Sequence, residues 1–180
     1  MVKAGVIADA ELFAFLEAHA AEVRQRQEAA LRFCIERAVA VKVNVVQQDP
    51  TERGVRAILN FGHTIGHALE AATAYTRYTH GEAVAIGMAL VAHLSVELGY
   101  CRSETRDRLL RLLQALELPV TGIEVAPSRL LELMSRDKKA LHGIVRFVLL
   151  KDIGAVCYHQ EVPAAVLHAL LQQHASPSGG

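Results

Sequence analysis

A chain of 180 residues with 52% hydrophobic residues, 5% aromatics and no tryptophan has the make-up of one Ala/Leu/Val-rich helical domain, large enough to bury a core. Its 19 lysines and arginines balance 19 aspartates and glutamates, which argues against a nucleic-acid partner, because such proteins carry a basic excess. The longest apolar run, 83–92, is too short to span a bilayer and the first residues lack the apolar stretch of a signal peptide, so a soluble cytoplasmic domain with no membrane partner is expected.

In chain order, Asp9 is placed to cap a helix whose apolar positions include Leu12, Phe13 and Leu16. A second helix is predicted over about 22–46 and stops at Asp49-Pro50. A third runs from about 51 to 72, followed by a loop over 73–79 and an apolar helix over about 80–98, which Gly99 closes. Ser103 is read as the cap of a helix over 104–116, and Ser128 as the cap of a short one reaching Arg136. Two short strands, 144–150 and 155–159, are joined by 151–154. Pro163 then opens, as a first-turn residue, a last helix to about His174, and 175–180 is a disordered tail. The expected architecture is mainly α with one small β-hairpin near the C-terminus.

The polar chemistry is concentrated in Arg56-Ala-Ile-Leu-Asn60-Phe-Gly-His63-Thr-Ile-Gly-His67-Ala-Leu-Glu70 and Thr79-His80-Gly-Glu82-Ala-Val-Ala-Ile-Gly-Met88. In one helix, Arg56, Asn60, His63 and His67 form a continuous stripe, able to bind a metal and an oxyanion side by side. His63 and His67 have the i, i+4 spacing of metal ligands but lack the Glu of HExxH, which excludes a metalloprotease. Gly62 and Gly66 each precede a histidine; a helical glycine costs about 1 kcal/mol against alanine, so each implies a close backbone approach or room for a ligand. Zinc suits imidazoles plus one carboxylate. Glu70 either completes a helix face or orients a ligand histidine. Lys42 reads as a snorkelling surface lysine and Lys138-Lys139 as a solvated charge pair. Cys34, Cys101 and Cys157, odd in number and in no CxxC arrangement, read as idle thiols of a reducing compartment.

These blocks, with Val2-Lys3-Ala-Gly-Val-Ile-Ala-Asp9, Lys42, Asp137-Lys-Lys139 and Arg146-Phe-Val-Leu-Leu-Lys-Asp-Ile-Gly154, resemble the C-terminal domain of 3-dehydroquinate synthase, among the sugar phosphate cyclases. Ile65 departs from a frequent Phe. The resemblance covers 1–174 and implies a lyase of the shikimate pathway, dependent on Zn2+ (or Co2+) and NAD. Its substrate would be a phosphorylated seven-carbon keto acid, 3-deoxy-D-arabino-heptulosonate 7-phosphate, converted to 3-dehydroquinate with release of phosphate.

By the same resemblance the metal ligands are His63 and His80, rather than the pair His63 and His67 that spacing suggests. A third ligand, the glutamate of a Glu-x-x-Lys segment, would fall immediately before Met1, with Lys3 as its lysine. His67, Lys3, Lys42, Arg56 and Asn60 would face the substrate, and Lys138 and Lys139 its phosphate. The sequence holds no Gly-rich nucleotide loop, so an N-terminal NAD-binding domain is absent from this chain, which is expected to be inactive alone. A homodimer is expected. Asn60, His67 and the lysine pair favour the dehydroquinate-forming branch over the valiolone type. Other readings are another cyclase, a metal-dependent alcohol dehydrogenase domain, or a non-catalytic helical remnant kept for dimerisation.

Overall fold

The structure is a computed structural model that describes residues 1–51, 54–136 and 144–175. Among these residues the chain forms nine α-helices, one 3-10 helix and one antiparallel hairpin. Mainly helical architecture with a small C-terminal hairpin is therefore found as expected.

The first helix, α1 (Val2–Ala8), precedes the Asp9 cap and was not anticipated; it carries Lys3. Asp9 does cap α2 (Ala10–Ala18), accepting from the Leu12 N–H, and it also takes a bidentate grip from Arg37 at 2.7 and 2.8 Å. That guanidinium holds the Asp9 carboxyl below its usual range. The helix expected over 22–46 is two helices, α3 (Ala20–Arg24) and α4 (Glu28–Gln48). Arg26 between them adopts φ 58°, and the Gln27 N–H returns to the Glu22 carbonyl, so the first helix winds up before the next begins. No glycine or proline marks that break.

A larger correction concerns 51–72. Val55–Asn60 is a 3-10 helix, and α5 (His63–Ala72) starts afresh after Gly62, whose φ is +78°. The continuous Arg56–His67 stripe therefore does not exist: two helical segments meet at a left-handed glycine. The Asp49 carboxylate helps set this geometry by accepting from the N–H groups of Gly54 and Arg56 at 2.8 and 3.1 Å.

The central helix is α6 (His80–Glu97), buried from Ala83 to Ala92 without a break. Thr79 and Glu82 form a capping box at its start, each satisfying a backbone N–H of the other. Gly99, at φ +75°, closes it as expected. In α7 (Ser103–Ala115) the cap position is Arg102, so Ser103 lies inside the first turn and makes no cap bond. Ser128 likewise lies inside α8 (Pro127–Arg136).

The hairpin strands β1 (Ile144–Asp152) and β2 (Ala155–Pro163) are longer than predicted. Ile144 pairs with Pro163 and Asp152 with Ala155, which leaves Ile153-Gly154 as the turn. Pro163 ends β2 and caps α9 (Ala164–His174) rather than standing in its first turn. Ala175 bridges to Ile123; the rest of the predicted tail lies outside the described residues.

Polar ties help fix the hairpin to the helices. The buried Ser95 hydroxyl donates to the Val91 carbonyl and accepts the Leu150 N–H at 2.9 Å. At the hairpin's turn, the Gly154 N–H donates to the Val6 carbonyl at 2.9 Å, so the same small sheet braces α1. The three cysteines are free thiols. Among the described residues no helix is long and apolar enough to cross a membrane.

Candidate functional site

Histidines 63, 67 and 80 meet because α5 and α6 pack with almost nothing between their backbones. A Cβ on Gly87 would lie 2.0 Å from the Gly62 carbonyl oxygen, and one on Gly62 would lie 2.6 Å from Met88. Gly66 faces the Ala83–Val84 backbone at 3.2 Å. Of the two roles open to Gly62 and Gly66, close backbone approach is the one found. Gly87 completes the seam and went unmarked in the sequence reading.

That seam sets the three imidazoles at ring-centre separations of 5.2 Å (His63–His67), 5.3 Å (His63–His80) and 5.9 Å (His67–His80). Their hydrogen bonding separates them. His63 Nδ1 lies 3.1 Å from the Phe61 carbonyl, and His80 Nδ1 lies 3.1 Å from both oxygens of Glu70. A carbonyl or carboxylate only accepts, so in both rings Nδ1 carries the proton and Nε2 presents its lone pair. The His67 ring makes no such bond among the described residues and stays exposed.

Lys3 points into the same place. Its Nζ donates to the Leu59 carbonyl at 2.6 Å and lies 3.3 Å from His63 Nε2, joining α1 to the histidine cluster. Burial first, and the charge of Lys42 second, bring the Lys3 amine down to about 8. Burial and that same Lys3 charge bring His63 down to about 4, so it is neutral at pH 7. Lys42 is exposed on α4, yet near enough for its charge to be felt at Lys3.

Arg56 and Asn60 sit on the 3-10 helix that leads into the cluster. The Arg56 guanidinium donates to the Pro50 carbonyl at 3.2 Å, and Asn60 opens on a small crevice beside Thr64, Arg146 and His159. Arg146 and His159 were given no site role by the sequence reading. Lys138 and Lys139 lie outside the described residues. Two larger cavities open on the histidines: one of about 560 Å³ reaches His67, Glu70 and His80, and one of about 470 Å³ reaches Lys3, His63 and His80.

The donor set suits a divalent cation. One ligand atom each from His67, Glu70 and His80 lies within 4.8 Å of the others, and the His63 ring centre stands 5.3 Å from that of His80.

Residues 1–140 match the family described as 3-dehydroquinate synthase C-terminal. The chain belongs to that family. Among solved structures it is similar to ValA, a 2-epi-5-epi-valiolone synthase from Streptomyces hygroscopicus subsp. jinggangensis 5008 with NAD+ and Zn2+ bound. That likeness has 30% identity and a TM-score of 0.84, over 96% of this chain and 48% of ValA. A 2-deoxy-scyllo-inosose synthase complexed with carbaglucose-6-phosphate, NAD+ and Co2+ matches at 22% identity and TM-score 0.69, over 83% of this chain and 41% of that one; this shows the fold. These neighbours are sugar phosphate cyclases, and the present member of the 3-dehydroquinate synthase C-terminal family spans about half the length of each.

Proposed function

We propose that this chain is the metal- and substrate-binding half of a sugar phosphate cyclase, and specifically of a 3-dehydroquinate synthase acting on 3-deoxy-D-arabino-heptulosonate 7-phosphate. The observation that carries the reading is the convergence of Lys3, His63, His67 and His80 around one site, built by the α5–α6 glycine seam. His63 and His80 are the metal ligands in this reading, because each has its Nδ1 spent on an acceptor and so offers Nε2, which at His63 exchanges the Lys3 amine 3.3 Å away for the metal. His67, whose ring is not tied in this way, faces the substrate.

A bound Zn2+ or Co2+ supplies Lewis acidity, and NAD carried by the remainder of a full-length enzyme supplies hydride transfer. The chain's own residues bind and orient. Lys42 and Arg56 neutralise the carboxylate and phosphate, with the Arg56 fork suited to a bidentate grip. Lys138 and Lys139 hold phosphate. Lys3, held beside His63 by its bond to the Leu59 carbonyl, presents its amine to the substrate. Asn60 adds a hydrogen-bonding amide at the entry to α5. Cytoplasmic location and a homodimer of the complete enzyme follow from the same reading.

The 30% identity to ValA favours a second reading, a cyclase of the valiolone type. Calorimetry on the zinc-loaded chain tests both, using the keto acid phosphate and a heptulose phosphate without the carboxylate. The first reading expects tighter binding of the keto acid phosphate, lost in Arg56→Ala; equal or tighter binding of the carboxylate-free sugar replaces it with the second. With NAD added, the chain alone should release no phosphate.

A further inference from the structure

Glu70 is one of the few charged side chains the fold buries, with 7% of its surface exposed. Taking a carboxylate out of water is costly unless a partner compensates, and an apolar side chain would pack that face of α5 at less cost. Its backbone carbonyl serves Thr73 and Tyr75, as ordinary helix-end geometry. Its carboxylate serves His80, with both oxygens 3.1 Å from Nδ1. His80 needs such a tether: it is the first residue of α6, and its side chain is 58% exposed, so packing alone leaves the ring free to turn. His63 has a rigid backbone carbonyl for the same purpose.

We propose that Glu70 is a positioning residue whose buried carboxylate holds His80 in its Nδ1–H form and aims Nε2 into the histidine cluster, ready for a divalent cation. This rests on the reading of His63 and His80 as metal ligands. It also decides how the His67, Glu70 and His80 grouping works: Glu70 holds the ligand and does not touch the metal.

The test uses the 180-residue chain as wild type, Glu70→Gln and Glu70→Ala, with His63→Ala and His67→Ala beside them. In the metal-free protein at about pH 8, above the ordinary imidazole range, nitrogen-15 NMR reads the His80 tautomer directly. Wild type and Glu70→Gln should show Nδ1–H, since the Gln carbonyl still accepts, and Glu70→Ala should shift to Nε2–H. Cobalt titration followed by visible absorption should then show roughly 10- to 100-fold weaker binding for Glu70→Ala, with much of it restored by Glu70→Gln.

An Nε2–H tautomer in the wild type, or wild-type cobalt affinity in Glu70→Ala, overturns the proposal. Should Glu70→Gln and His67→Ala both abolish cobalt binding while His63→Ala leaves it intact, Glu70 is itself a ligand, and the ligand assignment falls with the proposal. If the wild type binds no cobalt, the metal reading fails by itself, and the tautomer alone decides whether Glu70 positions His80.

Discussion

At Lys3 two effects act on one amine: burial strips it of water, and the Lys42 charge repels its proton, together bringing it to about 8. Because burial is the larger cause, removing Lys42 should raise the Lys3 titration only part of the way back toward its ordinary value. NMR titration of the Lys3 side chain in Lys42→Ala checks this; an unmoved midpoint means that the two lysines do not sense each other. Lys42 is exposed, so the same substitution should alter stability by no more than about 0.5 kcal/mol while weakening the hold on an anionic substrate. Arg56→Ala should lower turnover in a full-length enzyme more than Lys42→Ala does, since a planar fork is lost rather than a point charge. Normal kinetics with a large drop in melting temperature would instead make Arg56 a clamp on the Pro50 carbonyl.

At the scale of elements, the site is a consequence of how closely α5 and α6 approach. Gly87→Ala places a methyl 2.0 Å from the Gly62 carbonyl, and a backbone atom cannot move aside as a flexible side chain does. The expected cost is about 3 kcal/mol, with loss of metal affinity because His63 and His80 are pushed apart. Gly81→Ala, on the same helix with nothing within 4 Å, should be neutral or slightly stabilising, and denaturant melts of the two variants make the comparison. If Gly87→Ala is as harmless as Gly81→Ala, the seam is not what sets the site. Part of this could be read from the sequence. Gly62 and Gly66 implied close approach because each sits beside a histidine, but Gly87 lies in a uniformly apolar run where nothing distinguishes it from its neighbours. Periodicity likewise ran through 51–72 as if it were one helix, since neither the Asp49 carboxylate holding the turn nor the left-handed Gly62 alters a hydrophobic pattern. The capping box of Thr79 and Glu82, by contrast, has a T-x-x-E spacing that the sequence does carry, although it went unmarked in the sequence reading.

Across the whole molecule, one long buried helix organises the rest: α5 gives it the histidine face, Ser95 ties it to β1, and α9 packs along its far side. Helical class and hairpin were legible because apolar spacing and β-branched runs report local structure. The gathering of Lys3 with His63, sixty residues away, was implied only by resemblance, because nothing local in either segment encodes the other. On the far side, His93 of α6 and His174 of α9 meet with ring centres 4.3 Å apart and planes tilted by 49°. Burial first, then the His174 and Arg106 charges, bring His93 down to about 4, against a smaller opposing effect of Asp107. His63 also stands at about 4, below the ordinary 6.5. For both, the unfolded chain binds protons more readily than the folded one, so their contribution to stability is whole above about pH 6.5 and is lost as pH falls toward about 4. Thermal melts through that window should therefore show a falling midpoint, and His93→Gln should flatten the fall even if it lowers the midpoint at neutral pH. An unchanged slope in His93→Gln would mean that the α6–α9 contact accepts a charged imidazole, and that the acid sensitivity arises on the histidine face alone.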